Sequence, residues 1–306
     1  MNYKNEIRFV ITNKCNYNCI FCHNEGVSKS CTFSRQITPE DYGFITEVAF
    51  RCFEIEKFVL TGGEPLLKND IIDITKSIKK NGAKHITLIS NGSLLNKKNE
   101  ILNYIDELHV SLGTINKEAY QYRTNSKINP SIIENELREI SKNFKNIKLN
   151  VVMLDFENKD CGNLLELINF AKELSLELYL IEYFPETEKH YLSFRNIEKL
   201  VSSLGYKRSR EEDNKVLFLK PNNPNIKIVF IPCAFAESPL VSNPEQYCKE
   251  NQSIYILPDL STQPCFMQEE NKIDLYNSVK DRNEGELIRL LKITRAQIGC
   301  NCPLTF

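Results

Sequence analysis

The 306-residue chain has no tryptophan, no low-complexity tract and no internal repeat. The missing tryptophan accompanies a richness in Lys, Asn and Ile that reads as codon bias and carries no functional meaning. No apolar run reaches about 18 residues, which excludes a spanning helix. The opening MNYKNEIRFVITNKC lacks a basic segment followed by an apolar one, so it does not read as a signal peptide and the expected compartment is the cytoplasm. There is also no excess of positive charge. Lys and Arg number 39 against 40 Asp and Glu, so binding to a nucleic-acid backbone by counterion release is not expected. Hydrophobic residues at 42% and charged residues at 26% describe an ordinary globular chain with enough length for a substantial core.

Against that background the cysteines are abundant. There are eleven, an odd number in a chain that is neither small nor marked for secretion. A disulfide framework is therefore a poor reading, and metal or cluster ligation a better one.

Up to residue 183 the chain alternates strand-like and helix-like segments. Strand-like runs occupy 7–12, 57–61, 85–90, 108–112, 147–154 and 176–182. They are rich in β-branched and apolar residues, as expected of strands buried on both faces. Thr38-Pro39-Glu40-Asp41 reads as a helix start, Asn69-Asp70 opens a second helix that Asn81-Gly82 closes, and 160–174 reads as a third. Six such units predict an α/β fold with a parallel sheet and right-handed crossovers. Six strands are too few for a closed eight-stranded barrel, so a partial barrel or open sheet is expected. Beyond residue 183 prolines interrupt the pattern. Strand-like pieces remain at 216–219, 226–231 and 254–257, and helices are expected near 194–204 and 283–293. The chain is accordingly divided into 1–185 and a smaller, irregular extension, 186–306.

Cys15-x3-Cys19-x2-Cys22 follows directly on the first strand. Three thiolates on one short loop can hold three corners of a cubane iron–sulfur cluster and leave the fourth iron open. A structural zinc site needs four protein ligands, for which His23 is the only adjacent candidate. Thr61-Gly62-Gly63-Glu64-Pro65 ends the second strand, where ligands of parallel sheets bind. Its glycines allow close backbone approach, and Glu64 can accept from an ammonium.

Triad and GGEP on this framework resemble the radical S-adenosylmethionine (SAM) superfamily. The resemblance implies a partial (β/α)6 barrel, a [4Fe–4S] cluster at Cys15, Cys19 and Cys22, and SAM on the open iron. SAM is then cleaved reductively to a 5′-deoxyadenosyl radical that abstracts a substrate hydrogen. It further implies that Phe21 packs on the adenine, that Gly62, Gly63 and Glu64 receive the methionine amine, and that Ser90, Asn91 and Ser111 lie near the ribose and carboxylate. An electron donor such as a flavodoxin or ferredoxin is implied as a partner.

Within the superfamily, IRFVITNKCNYNCIFC, KFVLTGGEPLL, LISNG, HVSLGTIN, KLNVVML and LELYLIEYFP resemble, in order, segments of the GTP 3′,8-cyclase family of molybdenum-cofactor synthesis. By that register Arg8 and Lys148 match basic substrate contacts, and Phe184 a SAM contact. The departures are specific. Val59, Tyr179, Ser253 and Tyr255 stand where that family has arginines, and Asn251 replaces a cluster cysteine. Loss of even two charge-assisted hydrogen bonds would cost about 3–6 kcal/mol, or roughly two to four decades of affinity. GTP is therefore disfavoured as substrate. Cys248 and Cys265 keep the register of two auxiliary-cluster ligands. With Cys300 and Cys302 they make four, enough for a second, fully ligated [4Fe–4S] cluster in a SPASM/twitch-like region, with Cys233 as a substitute.

Three readings result. One is a radical SAM enzyme acting on a nucleoside-, nucleotide- or sugar-like small molecule by cyclisation, oxidation or epimerisation. Another is a maturase that crosslinks or epimerises a ribosomal peptide, set back by the absence of sequence ahead of the first strand for a fused leader-peptide domain. The third is a non-catalytic iron–sulfur or zinc protein. Cys233 and Tyr255 are candidate hydrogen donors if either faces the pocket.

Overall fold

Alternate residues of the core strands have opposite chemistry, and this organises the molecule. The computed structural model describes residues 5–28, 30–155, 160–183, 190–212, 215–221, 223–232, 239–251, 253–264 and 271–298. Six strands, β1 (Glu6–Val10), β2 (Lys57–Thr61), β3 (His85–Ser90), β4 (Glu107–Ser111), β5 (Ile147–Met153) and β6 (Glu177–Glu182), lie side by side and parallel in chain order. All six fall where the sequence places them.

The expectation of strands apolar on both faces needs correction. In β5, Ile147, Leu149, Val151 and Met153 are buried, while Lys148, Asn150 and Val152 between them line a cavity. The buried set joins Ile7, Phe9, Phe58, Leu60, Ile86, Leu88, Leu108, Val110, Leu178 and Leu180 in one core, shared with the helices α1 (Pro39–Phe53), α2 (Ile71–Lys80), α3 (Lys117–Thr124), α4 (Ser131–Ile140) and α5 (Asp160–Leu174). The other face is the lumen of the partial barrel, and its residues are largely polar. A strand's side-chain period of two makes both faces available at once.

The extension continues this sheet at both edges. After α6 (Phe194–Ser203) come β7 (Lys207–Glu212), β8 (Lys215–Lys220) and β9 (Asn223–Ile231), and β9 runs parallel to β6 with Leu178 opposite Ile228. Then α7 (Pro244–Asn251) leads to β10 (Ile254–Ile256), parallel to β1 with Arg8 opposite Tyr255. β11 (Ser261–Gln263) and β12 (Ile273–Asp274) extend that edge, followed by α8 (Tyr276–Lys280) and α9 (Glu284–Gln297). The sheet of twelve strands among the described residues has the order β12-β11-β10-β1-β2-β3-β4-β5-β6-β9-β8-β7. The extension's prolines punctuate this structure: Pro244 opens α7, and Pro232 and Pro258 follow β9 and β10. The outermost strand β7 reads KRSREE, a charged sequence suited to an unpaired edge.

α1 ties core to extension. Asp41 accepts from the Thr38 N–H at 2.9 Å, as the helix start predicts, and it also holds Lys280 at 2.6 Å and Arg282 at 3.2 Å. Its side chain is buried whereas both cations are partly exposed, so the pair interactions are screened and the cap dominates. Asp41→Ala is expected to lower the unfolding free energy by about 2 kcal/mol in urea titration. Lys280→Ala, which leaves the cap intact, should cost less than half of that.

Candidate active site

Backbone hydrogen bonds hold the cysteine loop against the end of β2. Ile11 N–H donates to Thr61 O (2.9 Å), Gly63 N–H to Thr12 O (2.7 Å) and Glu64 N–H to Lys14 O (2.8 Å). A Cβ on Gly62, whose φ is +145°, would stand 2.3 Å from Thr12 O, and one on Gly63 2.3 Å from Lys14 O. Both glycines also line the cavity, but what demands them is the approach of the loop. From behind, the end of α3 supports the same loop: Asn18 N–H donates to Thr124 O (3.1 Å) and Ile20 N–H to Arg123 O (3.0 Å).

This anchoring turns Cys15, Cys19 and Cys22 toward one cavity of about 1230 Å³. None forms a disulfide. Backbone N–H groups of Tyr17 and Asn24 point at the sulfurs of Cys15 (3.4 Å) and Cys22 (3.3 Å). Among the described residues no three His, Cys, Asp or Glu side chains converge on a single-ion site. His23 is engaged otherwise, its Nδ1 accepting from the Glu25 N–H at 3.2 Å. A loop of three separated thiol donors fits a cubane better than a zinc knuckle.

Glu64 stands one layer beneath the wall. Its fully buried carboxylate accepts from Ser90 Oγ (2.8 Å), Leu66 N–H (3.0 Å) and Asn91 N–H (2.7 Å). Burial pushes its pKa up to about 7 against the lowering effect of these bonds. In this arrangement it shapes the 90–92 turn. Ser90, which donates to Glu64 and accepts from Gly92 N–H (3.0 Å), lines the cavity together with Asn91 and Ser111. Asn91 bridges to the cysteine loop through Asn16 Oδ1 at 2.9 Å. Phe21 lines the same wall with the buried Arg123 guanidinium 5.6 Å from its ring centroid. Phe184 lies outside the described residues.

Deeper in the lumen Arg8, Lys148 and Tyr255, which the sequence analysis named, meet Glu25, His85, Glu107 and His109, which it passed over. Arg8 donates to Tyr255 Oη (3.3 Å) and lies 4.0 Å from Glu25, whose other oxygen accepts from Thr61 Oγ1 (2.8 Å). Glu25 has a left-handed backbone, φ +52°, three residues beyond Cys22. Burial raises its pKa, but Arg8, His23 and Thr61 outweigh this and hold it below the usual range. Glu107 binds His85, His109 and Lys148 together. The signal for these residues was the lumen phase of each strand: Glu6 and Arg8, His85 and Thr87, Glu107 and His109 recur at i, i+2. Tyr255 and Tyr179 line the lumen, as does the buried Cys248 of α7. Cys233, Cys265, Cys300 and Cys302 lie outside the described residues.

The sequence pattern of the Radical SAM superfamily matches residues 9–168. A protein of Methanocaldococcus jannaschii named probable GTP 3′,8-cyclase is 27% identical over 276 residues, 90% of this chain and 89% of the relative. One of the same name from Pyrobaculum aerophilum is 38% identical over 59% of this chain and 58% of its own length. Among solved structures, Streptococcus suis SuiB bound to S-adenosylmethionine superposes with a TM-score of 0.69 at 17% identity, over 90% of this chain and 64% of SuiB. Native anSMEcpe with bound AdoMet superposes with a TM-score of 0.51 at 16% identity, over 65% of this chain and 58% of that one. At these identities the structural likenesses speak to the fold.

Two outcomes test the site. Gly63→Ala, which has no room beside Lys14 O, should lose about four irons per chain after anaerobic reconstitution while keeping its circular dichroism spectrum. Glu64 has a folded pKa above its unfolded value, so its contribution to stability is complete below about pH 4.5 and is lost as pH rises through about 7. The chain free of cofactor should lose up to about 3 kcal/mol between those limits, and Glu64→Gln should flatten that slope in urea titrations.

Proposed function

This chain belongs to the radical SAM superfamily, and from that premise we propose that it acts on a small nucleoside-, nucleotide- or sugar-like molecule held in the barrel lumen, in a cyclisation, oxidation or epimerisation. The protein is an enzyme that uses a [4Fe–4S] cluster and SAM. Cys15, Cys19 and Cys22 would hold the cluster, and Phe21, Gly62, Gly63, Ser90, Asn91 and Ser111 would border SAM, with Glu64 setting the turn beneath. When bound, the pair supplies the 5′-deoxyadenosyl radical that removes a substrate hydrogen. The surrounding residues position the substrate and exclude water. Residues 1–185 serve as the radical SAM core, and 186–306 complete the lumen wall.

The observation that carries the substrate reading is the balance of charge in the cavity. Among the described residues, Arg8, Lys57, Arg123, Lys148 and Lys215 line it, and so do Glu6, Glu25, Glu107, Glu182 and Glu250. A balanced wall suits a neutral polar molecule better than a triphosphate. Val59, Tyr179 and Tyr255, at positions where the cyclase family has arginines, all line it too. The relatives' name favours a second reading, cyclisation of GTP. Arg8 and Lys148 on the wall are consistent with it, but each is already engaged with a carboxylate. A peptide substrate draws no support from the likeness to SuiB, which extends to fold alone.

Cys248 opens on the lumen, which supports a second [4Fe–4S] cluster held with Cys265, Cys300 and Cys302 near the substrate. Tyr255, also on the wall, is a fitting hydrogen donor, with Cys233 the other candidate. A flavodoxin or ferredoxin would supply electrons. No helix among the described residues is long and apolar enough to cross a membrane, and we place the enzyme in the cytoplasm without a nucleic-acid partner.

Reconstituted wild type should carry about eight irons per chain and the Cys248→Ala/Cys265→Ala variant about four. An equal content of about four in both would remove the second cluster. In SAM-cleavage assays, nucleosides or sugars should raise 5′-deoxyadenosine above the substrate-free rate more than GTP does. Conversion of GTP to a cyclised product would establish the second reading instead.

A further inference from the structure

The N-terminal end of the lumen holds a cluster to which the site described above gives no task. His85 on β3, Glu107 and His109 on β4 and Lys148 on β5 occupy neighbouring inward positions, with His109 opposite Lys148 in the strand register. Glu107 Oε2 accepts from His85 Nε2 at 3.0 Å, and its Oε1 contacts both His109 Nε2 and Lys148 Nζ. The Lys148 ammonium also lies 4.9 Å from the centre of the Tyr179 ring. We propose that Glu107 determines specificity: it makes this end of the lumen a subsite for an uncharged, hydroxyl- or amide-bearing group and bars polyphosphates from it. The inference rests on the small-molecule reading given above.

Two independent observations carry it. The first is compensation of charge. Burial raises the pKa of Glu107, but His109 and Lys148 outweigh burial and hold it well below the usual carboxylate range. Glu107 is therefore an anion at neutral pH, and Lys148 offers a ligand no uncompensated charge. A phosphate placed about 5 Å from that carboxylate, at an effective dielectric of about 20, loses on the order of a hundredfold in affinity. The second is the inventory of polar atoms left over in the same cavity. Asn150 Oδ1, one inward position beyond Lys148 on β5, is a buried acceptor without a partner. Arg8 Nε is a buried donor without one, and Glu25 Oε2, though 4.0 Å from Arg8 Nη1, accepts no hydrogen bond. Buried donors and acceptors in one cavity call for a ligand that both donates and accepts, as a hydroxyl or an amide does and a phosphate does not.

The test uses inorganic tripolyphosphate, a polyanion that needs no base recognition, in equilibrium dialysis against the anaerobically reconstituted protein. Wild type should not bind it at millimolar concentration. Glu107→Gln, which keeps the shape and removes the charge, should bind it at least tenfold more tightly, and Lys148→Met in the same background should abolish the gain. Glu107→Ala serves if the glutamine variant does not fold. Wild-type binding equal to that of the variants would overturn the inference, as would a failure of both charge-removing variants to bind. GTP turnover by wild type is measured separately. If wild type neither converts GTP nor binds tripolyphosphate and the variants gain nothing, the role of Glu107 falls and the small-molecule reading stands. If wild type converts GTP, the substrate reading itself falls.

Discussion

The site depends on one close approach of two backbones. The loop carrying Cys15, Cys19 and Cys22 is fastened to the turn after β2 by hydrogen bonds from Gly63 and Glu64 to Thr12 and Lys14. Only residues without Cβ permit that distance at positions 62 and 63. The thiols and the Gly-Gly-Glu turn are forty or more residues apart in sequence, yet this contact makes them one object. Glu64 carries the ordering one strand further by holding Ser90 and Asn91, and Asn91 returns to the cysteine loop through Asn16. Three consecutive strand ends are thereby held together beside the three cysteines.

A second constraint is the closure of the sheet. An open parallel sheet of six strands leaves two exposed edges and a lumen with no side walls. The C-terminal part of the chain supplies β9 at one edge and β10 at the other. β10 brings Tyr255 beside Arg8, and α7 before it brings Cys248 to the lumen. The extension thus lines the same cavity as the core strands, which joins residues separated by about 250 positions in one wall. The ion pairs of Asp41 with Lys280 and Arg282 reinforce the same union on the helical side.

Electrostatics then differentiates the two ends of the lumen. Near the thiols the wall combines hydroxyls, the Asn91 amide, the Phe21 ring and the Arg123 guanidinium beside it. At the opposite end, cations and carboxylates neutralise each other in close contact, most fully around Glu107. A pocket built in this way offers hydrogen-bonding groups with little net charge.

The sequence by itself determined much of this. The six core strands, the helix start at Thr38, α5 and the Cys15–Cys22 and Gly62–Glu64 motifs were legible because each rests on local periodicity, capping or spacing, which short segments express on their own. Only the tertiary structure decided that alternate strand residues such as Arg8, His85, Glu107 and Lys148 face a shared lumen. Only it turned the two glycines toward a neighbouring backbone and took Glu64 beneath the surface. It also placed β9 and β10 on opposite edges of one sheet. These features arise from contacts between residues far apart in the chain, whose energies depend on burial and on which charge lies opposite, and neither quantity exists until the strands have paired.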